Sequence, residues 1–288
     1  MRYLLSPLFI IISFLAVAQK TDRTLQKKIE ALTKNFNGDI GIYVRDLKNN
    51  RVVSIHADTI FPTASIVKIP ILIGIMSKIQ QGELSYHQRL TYTDSLFYSE
   101  GDDILSAFKD SATIELSKVM MLMITISDNC ASLWLQGLSG GGTRINGILD
   151  SLGLQATRVN SRTPGRENNR KLYGWGQTSP REIAVLMERI VNGEIINKES
   201  SDRMLRLLGR QYWDEVALSQ IPAGVFVADK NGALDENRNE VVYVNGKKNP
   251  YIFSVFTKNN KDKSWKPDNE AWVLTRKISA LLWHYYND

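Results

Sequence analysis

The strand signals of this chain lie at its two ends, and that separation limits the folds open to it most. Near the start, "GDIGIYVRDLKNNRVVSIHA" holds two β-rich runs flanking Lys48-Asn49-Asn50, a pattern that reads as a hairpin. The strand signal returns only from Gly224, in "GVFVADKNG", "EVVYVN" and "NPYIFSVFTK". Five such runs can pair into one antiparallel sheet if the chain's ends come together. Between them the apolar spacing is helical, with helices expected over 66–81, 113–126, 129–137, 143–153, 180–192 and 198–209. Pro180 suits a first helical turn and Ser179 its cap. Helical spacing also marks "DRTLQKKIEALTKNF" and "NEAWVLTRKISALLWHYY" at the two ends, and these helices are expected to cover one sheet face. The fold class implied is α+β (an α/β sandwich): a five-stranded antiparallel sheet with an all-helical lobe inserted into it. The sheet lobe would take residues 19–62 and 211–288, and the helical lobe 63–210. A cleft between two lobes is a usual place for a site.

The first eighteen residues, "MRYLLSPLFIIISFLAVA", form a different kind of segment. Arg2 precedes an apolar run that ends in Ala16-Val17-Ala18, the small-residue pattern of a cleaved export signal. The run is short for a bilayer span of ~20 residues, so a periplasmic or secreted protein starting at Gln19 is expected, without stable membrane insertion; an uncleaved anchor is the alternative. Export permits disulfides, but Cys130 is the only cysteine, so core burial must supply the stability. The net charge of +6 is spread along the chain. It suits work near anionic envelope polymers and lacks the clustered stripe of a nucleic-acid binder. A monomer is expected.

Within an otherwise apolar run, "FPTASIVKIPIL", stand Ser65 and Lys68. Three residues apart on a helix they share a face, and a hydroxyl beside an amine is one way to make a nucleophile. Ser65 would lie where free N–H groups and the helix dipole favour a developing anion. A second Ser-x-x-Lys, Ser106 to Lys109, lacks a long helix behind it and reads as chance. Ser127-Asp128-Asn129 lies at the break between two apolar helices, where a simple cap is the competing reading. Lys230-Asn231-Gly232 ends a strand, where a hairpin turn competes. The order Ser-x-x-Lys, Ser-Asp-Asn, Lys-x-Gly raises all three together.

On those motifs, and on "TYTDSLFYS", "LDSLGLQATRV" and "TSPREIAVLMERI", the chain resembles the class A serine β-lactamases and the penicillin-binding enzymes related to them, over nearly its whole mature length. The resemblance implies the sheet order, an acyl-enzyme on Ser65 and the opening of β-lactam rings, hence antibiotic resistance. Lys68 would share the proton network of Ser65, and Ser127 would relay a proton to the leaving nitrogen. Asn129 would touch the substrate's side-chain amide. Lys230 would bind its carboxylate with help from Asn231. The N–H groups of Ser65 and Ala233 would make the oxyanion hole, and Tyr98 would wall the cleft. Lys68 and Lys230, two cations in a dry cleft, would lower each other's proton affinity, leaving Lys68 able to act as a base. No cofactor is implied; the ligand would be a β-lactam or a D-Ala-D-Ala-like peptide.

Two departures stand out. Asn231 replaces the Thr or Ser of the usual Lys-Thr-Gly, and an amide cannot shuttle a proton as a hydroxyl does. In "RTPGRENN" the family's catalytic Glu position holds Thr163, ahead of the matching Pro164, and its water-holding Asn position holds Glu167. Glu167 is the stretch's only carboxylate and is the expected base for hydrolysis of the acyl-enzyme, against the competing reading of an exposed Glu paired with Arg166 or Arg170. Other chemistries find less support. His56, His87 and His284 are dispersed and form no H-E-x-x-H helix, and no G-x-S-x-G elbow is present. "SGGGT" follows no strand and reads as a helix connector. A D-alanyl-D-alanine carboxypeptidase is the nearest alternative activity, and a non-turnover binder of β-lactams or peptidoglycan the next. Continuing nitrocefin turnover, a stoichiometric burst and silence would separate the three.

Overall fold

The computed structural model describes residues 19–98 and 103–288; the export signal expected in the first eighteen residues lies outside them. The strands are β1 (Lys20–Thr21), β2 (Asp39–Asp46), β3 (Arg51–Ile55), β4 (Phe61–Pro62), β5 (Arg89–Thr91), β6 (Thr113–Glu115), β7 (Arg158–Val159), β8 (Gly176–Thr178), β9 (Val227–Leu234), β10 (Asn237–Val244) and β11 (Tyr251–Lys258). The helices are α1 (Arg23–Thr33), α2 (Lys68–Gln80), α3 (Leu116–Thr125), α4 (Asn129–Leu138), α5 (Gly141–Ser151), α6 (Glu167–Tyr173), α7 (Pro180–Val191), α8 (Lys198–Leu208) and α9 (Glu270–Asn287).

The main sheet runs β1-β3-β2-β11-β10-β9. Its five long strands are antiparallel, as expected, and β11 from the end of the chain pairs β2 from the start, Tyr251 opposite Asp46 and Lys258 opposite Asp39. A sixth strand joins at the edge: the two residues of β1 pair β3 in parallel. At two residues it is too short to show alternation, and no periodicity marks it.

Helices α1 and α9 bury one sheet face, with Leu25, Ile29, Ile278 and Leu282 against Ile42, Val44, Val242 and Phe253. The opposite face and the helical segments share the larger core, in which Ile69, Ile71, Leu72, Ile73, Ile75 and Met76 of α2 are buried. A helix apolar all round belongs inside, and α2 lies in contact with α3, α4, α5 and α8. The caps follow the sequence: Ser179 accepts from the Glu182 N–H with Pro180 at the first position, and Asp128 caps α4. Among the described residues no helix is long and apolar enough to cross a membrane.

Candidate active site

Ser65 lies in a 3-10 turn, Ala64–Val67, that feeds α2 directly. The tight turn takes up the distortion that Pro70 demands, and Pro70 falls in the first helical turn, where its missing N–H costs least. The turn is fixed from both sides. Thr63 N–H donates to Gly176 O of β8 at 2.9 Å, and the Asn239 side chain of β10 donates to Pro62 O at 2.8 Å. Ala64 is held at φ 46°, a left-handed conformation that costs a non-glycine residue ~1 kcal/mol or more.

Lys68 Nζ lies 3.0 Å from Ser65 Oγ and 3.0 Å from Ser127 Oγ, 2.6 Å from Ser127 O and 2.8 Å from Asn129 Oδ1. The Lys68 side chain is fully buried. Burial, chiefly, and then the charge of Lys230 hold its proton affinity well below the ordinary lysine value, opposed by Asp103 and Asp128. Desolvation therefore outweighs the neighbouring cation, which reverses the emphasis of the sequence argument. A neutral amine has two N–H donors and one lone pair. Ser127 O and Asn129 Oδ1 can only accept, so they take both N–H groups. The lone pair is left for a hydroxyl, and Ser65 Oγ is within reach.

The Ser127-Asp128-Asn129 break serves both readings of the sequence. Asp128 is the cap: its carboxylate accepts from Ala131 N–H at 2.7 Å and from Leu105 N–H at 3.0 Å. Asp103 accepts from the N–H groups of Asn129 and Cys130 at 2.7 and 3.2 Å. With the start of α4 fixed this way, Ser127 is held at φ 66° with its carbonyl and hydroxyl both on Lys68. Asp103, Asp128 and Cys130 cluster within 4.8 Å, and the bonds of both acids are spent on these backbone amides. Ser106 bonds Tyr98 O and the Cys130 thiol, and Lys109 is exposed, so the second Ser-x-x-Lys forms no pair.

Strand β9 closes the other side. A Cβ on Gly232 would stand 2.6 Å from Thr63 O and 2.8 Å from Ser65 N; only glycine lets β9 pass this close to the nucleophile turn. That contact brings Ala233, the next residue, alongside the nucleophile turn. Lys230 is fully buried, and its Nζ donates to Asn231 O at 2.9 Å and Asn231 Oδ1 at 3.2 Å. The Asn231 amide also donates to Trp213 O at 3.3 Å. So Asn231 presents its oxygen to Lys230, while its donors point elsewhere. Tyr98 packs edge-on against Trp175, centroids 5.4 Å apart.

Behind Lys230 lies a feature the motifs did not announce. Asp229 and Glu240, on neighbouring strands β9 and β10, are both buried. Burial raises Asp229 to about 7, with Lys230 opposing. Burial and then Asp229 raise Glu240 well above the carboxylate range. Lys230 falls to about 8, through burial, against the pull of Asp229 and Glu240. The clue in the sequence was an acid inside each of two apolar strands.

The loop from 160 to 178 carries the departure. Thr163 is buried, and its hydroxyl donates to Ser161 O at 2.9 Å. Glu167 opens α6, a seven-residue helix not expected from the sequence. It is exposed, and its carboxylate accepts from Gly165 N–H at 3.1 Å. Among the described residues no hydrogen bond links Glu167 to Ser65 or Lys68, nor any ion pair to Arg166 or Arg170. Arg166 instead bonds the neutral Asn160 and Gln177, at 2.6 and 2.8 Å.

The model of the beta-lactamase enzyme family matches residues 24–286. Beta-lactamase VEB-1 of Pseudomonas aeruginosa is 24% identical over 280 residues, covering 93% of this chain and 92% of that protein. Among solved structures, a variant of PBP-A in acyl-enzyme complex with penicillin G superposes with a TM-score of 0.81 at 26% identity, over 93% of this chain and 98% of that one. A beta-lactamase from Chitinophaga pinensis gives a TM-score of 0.82 at 20% identity, over 92% of this chain and 100% of that one.

Two outcomes test this geometry. Gly232→Ala should leave the protein folded and slow acylation on the order of 100-fold, because it pushes β9 off the Ser65 amide and small misplacements are that costly; burst kinetics with a chromogenic cephalosporin read it. Asp229 keeps its proton in the folded chain up to about 7 but loses it near 3.8 when unfolded. The fold thus binds more protons across that window, and the Asp229 contribution to stability falls as pH rises through it. Asp229→Asn should therefore gain stability relative to wild type between those pH values, measured by urea denaturation; the exposed acids cancel in the difference.

Proposed function

Because the chain belongs to the beta-lactamase enzyme family, we propose that it is a serine β-lactam hydrolase working through an acyl-enzyme on Ser65. One observation carries the reading: a fully buried Lys68 amine 3.0 Å from Ser65 Oγ and 3.0 Å from Ser127 Oγ. In the proposed sequence, neutral Lys68 takes the Ser65 proton as Oγ attacks the lactam carbonyl. The N–H groups of Ser65 and Ala233 receive the oxyanion, a contribution of ~3 kcal/mol per donor in other enzymes. The C–N bond breaks, and Ser127 gives its proton to the departing nitrogen. Lys68, now protonated, restores the Ser127 proton. Lys230 holds the substrate carboxylate and Asn129 its side-chain amide. Tyr98 flanks the ring. The variant of PBP-A that was captured as an acyl-enzyme with penicillin G supports the first half of this sequence by analogy.

The second half needs a water and a base. Glu167 was the candidate from sequence, and Lys68 is the candidate from geometry. Glu167 is exposed and engaged with the Gly165 amide, whereas Lys68 already touches the oxygen that becomes the ester. The geometry favours Lys68 for both steps. Working in the periplasm or outside the cell, after removal of the first eighteen residues, is part of the same proposal, since the substrates act there.

Incubation with penicillin should add one drug mass to the peptide containing Ser65, and Ser65→Ala should abolish it without unfolding the protein. Label on Ser106 instead would overturn the assignment. Glu167→Gln should leave both half-reactions within about threefold of wild type in single-turnover measurements. A drop of ~100-fold in deacylation alone, the usual share of a general base, would return the role to Glu167.

A further inference from the structure

Two adjacent aromatic rings stand exposed in the segment between α8 and β9. Tyr212 is 65% exposed and Trp213 44% exposed, and they pack edge to face with centroids 5.0 Å apart. Exposed aromatics on a loop are ordinarily free to turn, but here the backbone of Tyr212 and the indole of Trp213 are both anchored. Tyr212 N–H donates to Thr125 O at 2.9 Å, and the Trp213 indole N–H donates to Ile126 O at 3.1 Å. Trp213 O accepts from the Asn231 side chain at 3.3 Å. Ile126 is the residue before Ser127, and Asn231 is the residue after Lys230. Trp213 is therefore clamped between the proton-relay hydroxyl and the buried cation, with much of its ring left in solvent.

We propose that Trp213 is a stacking surface for a planar aromatic group carried on the carboxylate side of the substrate. The inference rests on the β-lactam reading of the site. Two observations select this occupant. The Trp213 backbone carbonyl is tied to Asn231, the residue after Lys230, so a ligand whose anionic end reaches Lys230 brings its neighbouring substituent towards the indole. The indole N–H is bonded to Ile126 O and the backbone is anchored on Asn231, so stacking costs little further conformational freedom. Asn231 adds to this selection. Its oxygen faces Lys230 at 3.2 Å, where a hydroxyl would have been a donor to the carboxylate. Anion binding loses one partner, and contact with the adjacent ring offsets that loss.

The experiment compares two cephalosporins on the intact protein: nitrocefin, which carries a dinitrostyryl group beside the carboxylate, and an analogue with a methyl group there. Trp213→Ala should raise KM for nitrocefin about 3- to 10-fold, the range of an aromatic pair, leave kcat unchanged, and change the methyl analogue less than about twofold. Trp213→Phe, which keeps a ring but loses the bond to Ile126 O, should stay within about twofold of wild type on both. Equal losses on both substrates in both variants would overturn the proposal and make Trp213 a positioning residue for Ser127. Unchanged kinetics in Trp213→Ala would overturn it too. Failure of the wild-type protein to acylate with either compound would instead bring down the β-lactam reading on which the proposal stands.

Discussion

An amine nitrogen with no exposure to water has to find its partners inside the protein, and in this molecule Lys68 Nζ finds four oxygens within 3.0 Å. Leaving such a group unpaired would cost several kcal/mol. The oxygens come from two places, the turn before α2 and the break between α3 and α4. Those segments are 59 residues or more apart in sequence where the longer contacts are made. Their meeting at one atom fixes how α2 and α4 pack, and the burial that makes the amine costly to charge is the same burial that leaves its lone pair available to a serine.

Holding two serines on one nitrogen strains the backbone. Ala64 and Ser127 sit at φ 46° and 66°, and neither residue has glycine's freedom. The surroundings hold these conformations: the β8 and β10 contacts to 62 and 63 on one side, the Asp103 and Asp128 caps on the other. Strand β9 completes the arrangement through the bare backbone of Gly232. Asp229 and Glu240 make the same strand unusual. Burial holds both acids above the ordinary carboxylate range, and Asp229 lies beside Lys230, which opposes its rise. With Lys230 lowered to about 8, the cation that would meet a substrate carboxylate persists at neutral pH and fades above it.

The long strands and most helices were legible because their apolar periodicity was strong and their caps were explicit, as at Ser179-Pro180. The seven-residue α6 was missed because "RENNRKLY" is polar but for Leu172 and Tyr173 at its end and buries no residue; it has no apolar periodicity to read. Ser65, Lys68, Ser127 and Asn129 were legible as a set of spaced motifs, and the structure brings all four to one point. The dominance of burial over the second cation was not, since sequence gives neighbours but not depth. Gly232 could be read as a turn residue or as a close approach, and only the packed turn at 63–65 decides between them. Asp229, Glu240 and Trp213 left weaker traces, acids in apolar strands and two adjacent aromatics in a polar stretch. Each such trace is common, and its meaning depends on what lies across the fold.

The loop from 160 to 178 shows how far one substitution reshapes a site. A carboxylate at 163 would need donors and would sit well beside a cation; a threonine needs neither, and its hydroxyl is satisfied by Ser161 O. Arg166 is accordingly matched with amide oxygens only, those of Asn160 and Gln177, and Asn169 adds its amide to the same Gln177 oxygen at 3.0 Å. Neutral ties of this kind hold a loop in place without lending it a base. Among the described residues Arg166 has no ion-pair partner, and its bonds go to these neutral oxygens. On the proposed reading, base chemistry then falls to Lys68, the dehydrated amine that touches Ser65, and the loop's contribution becomes the shape of the wall.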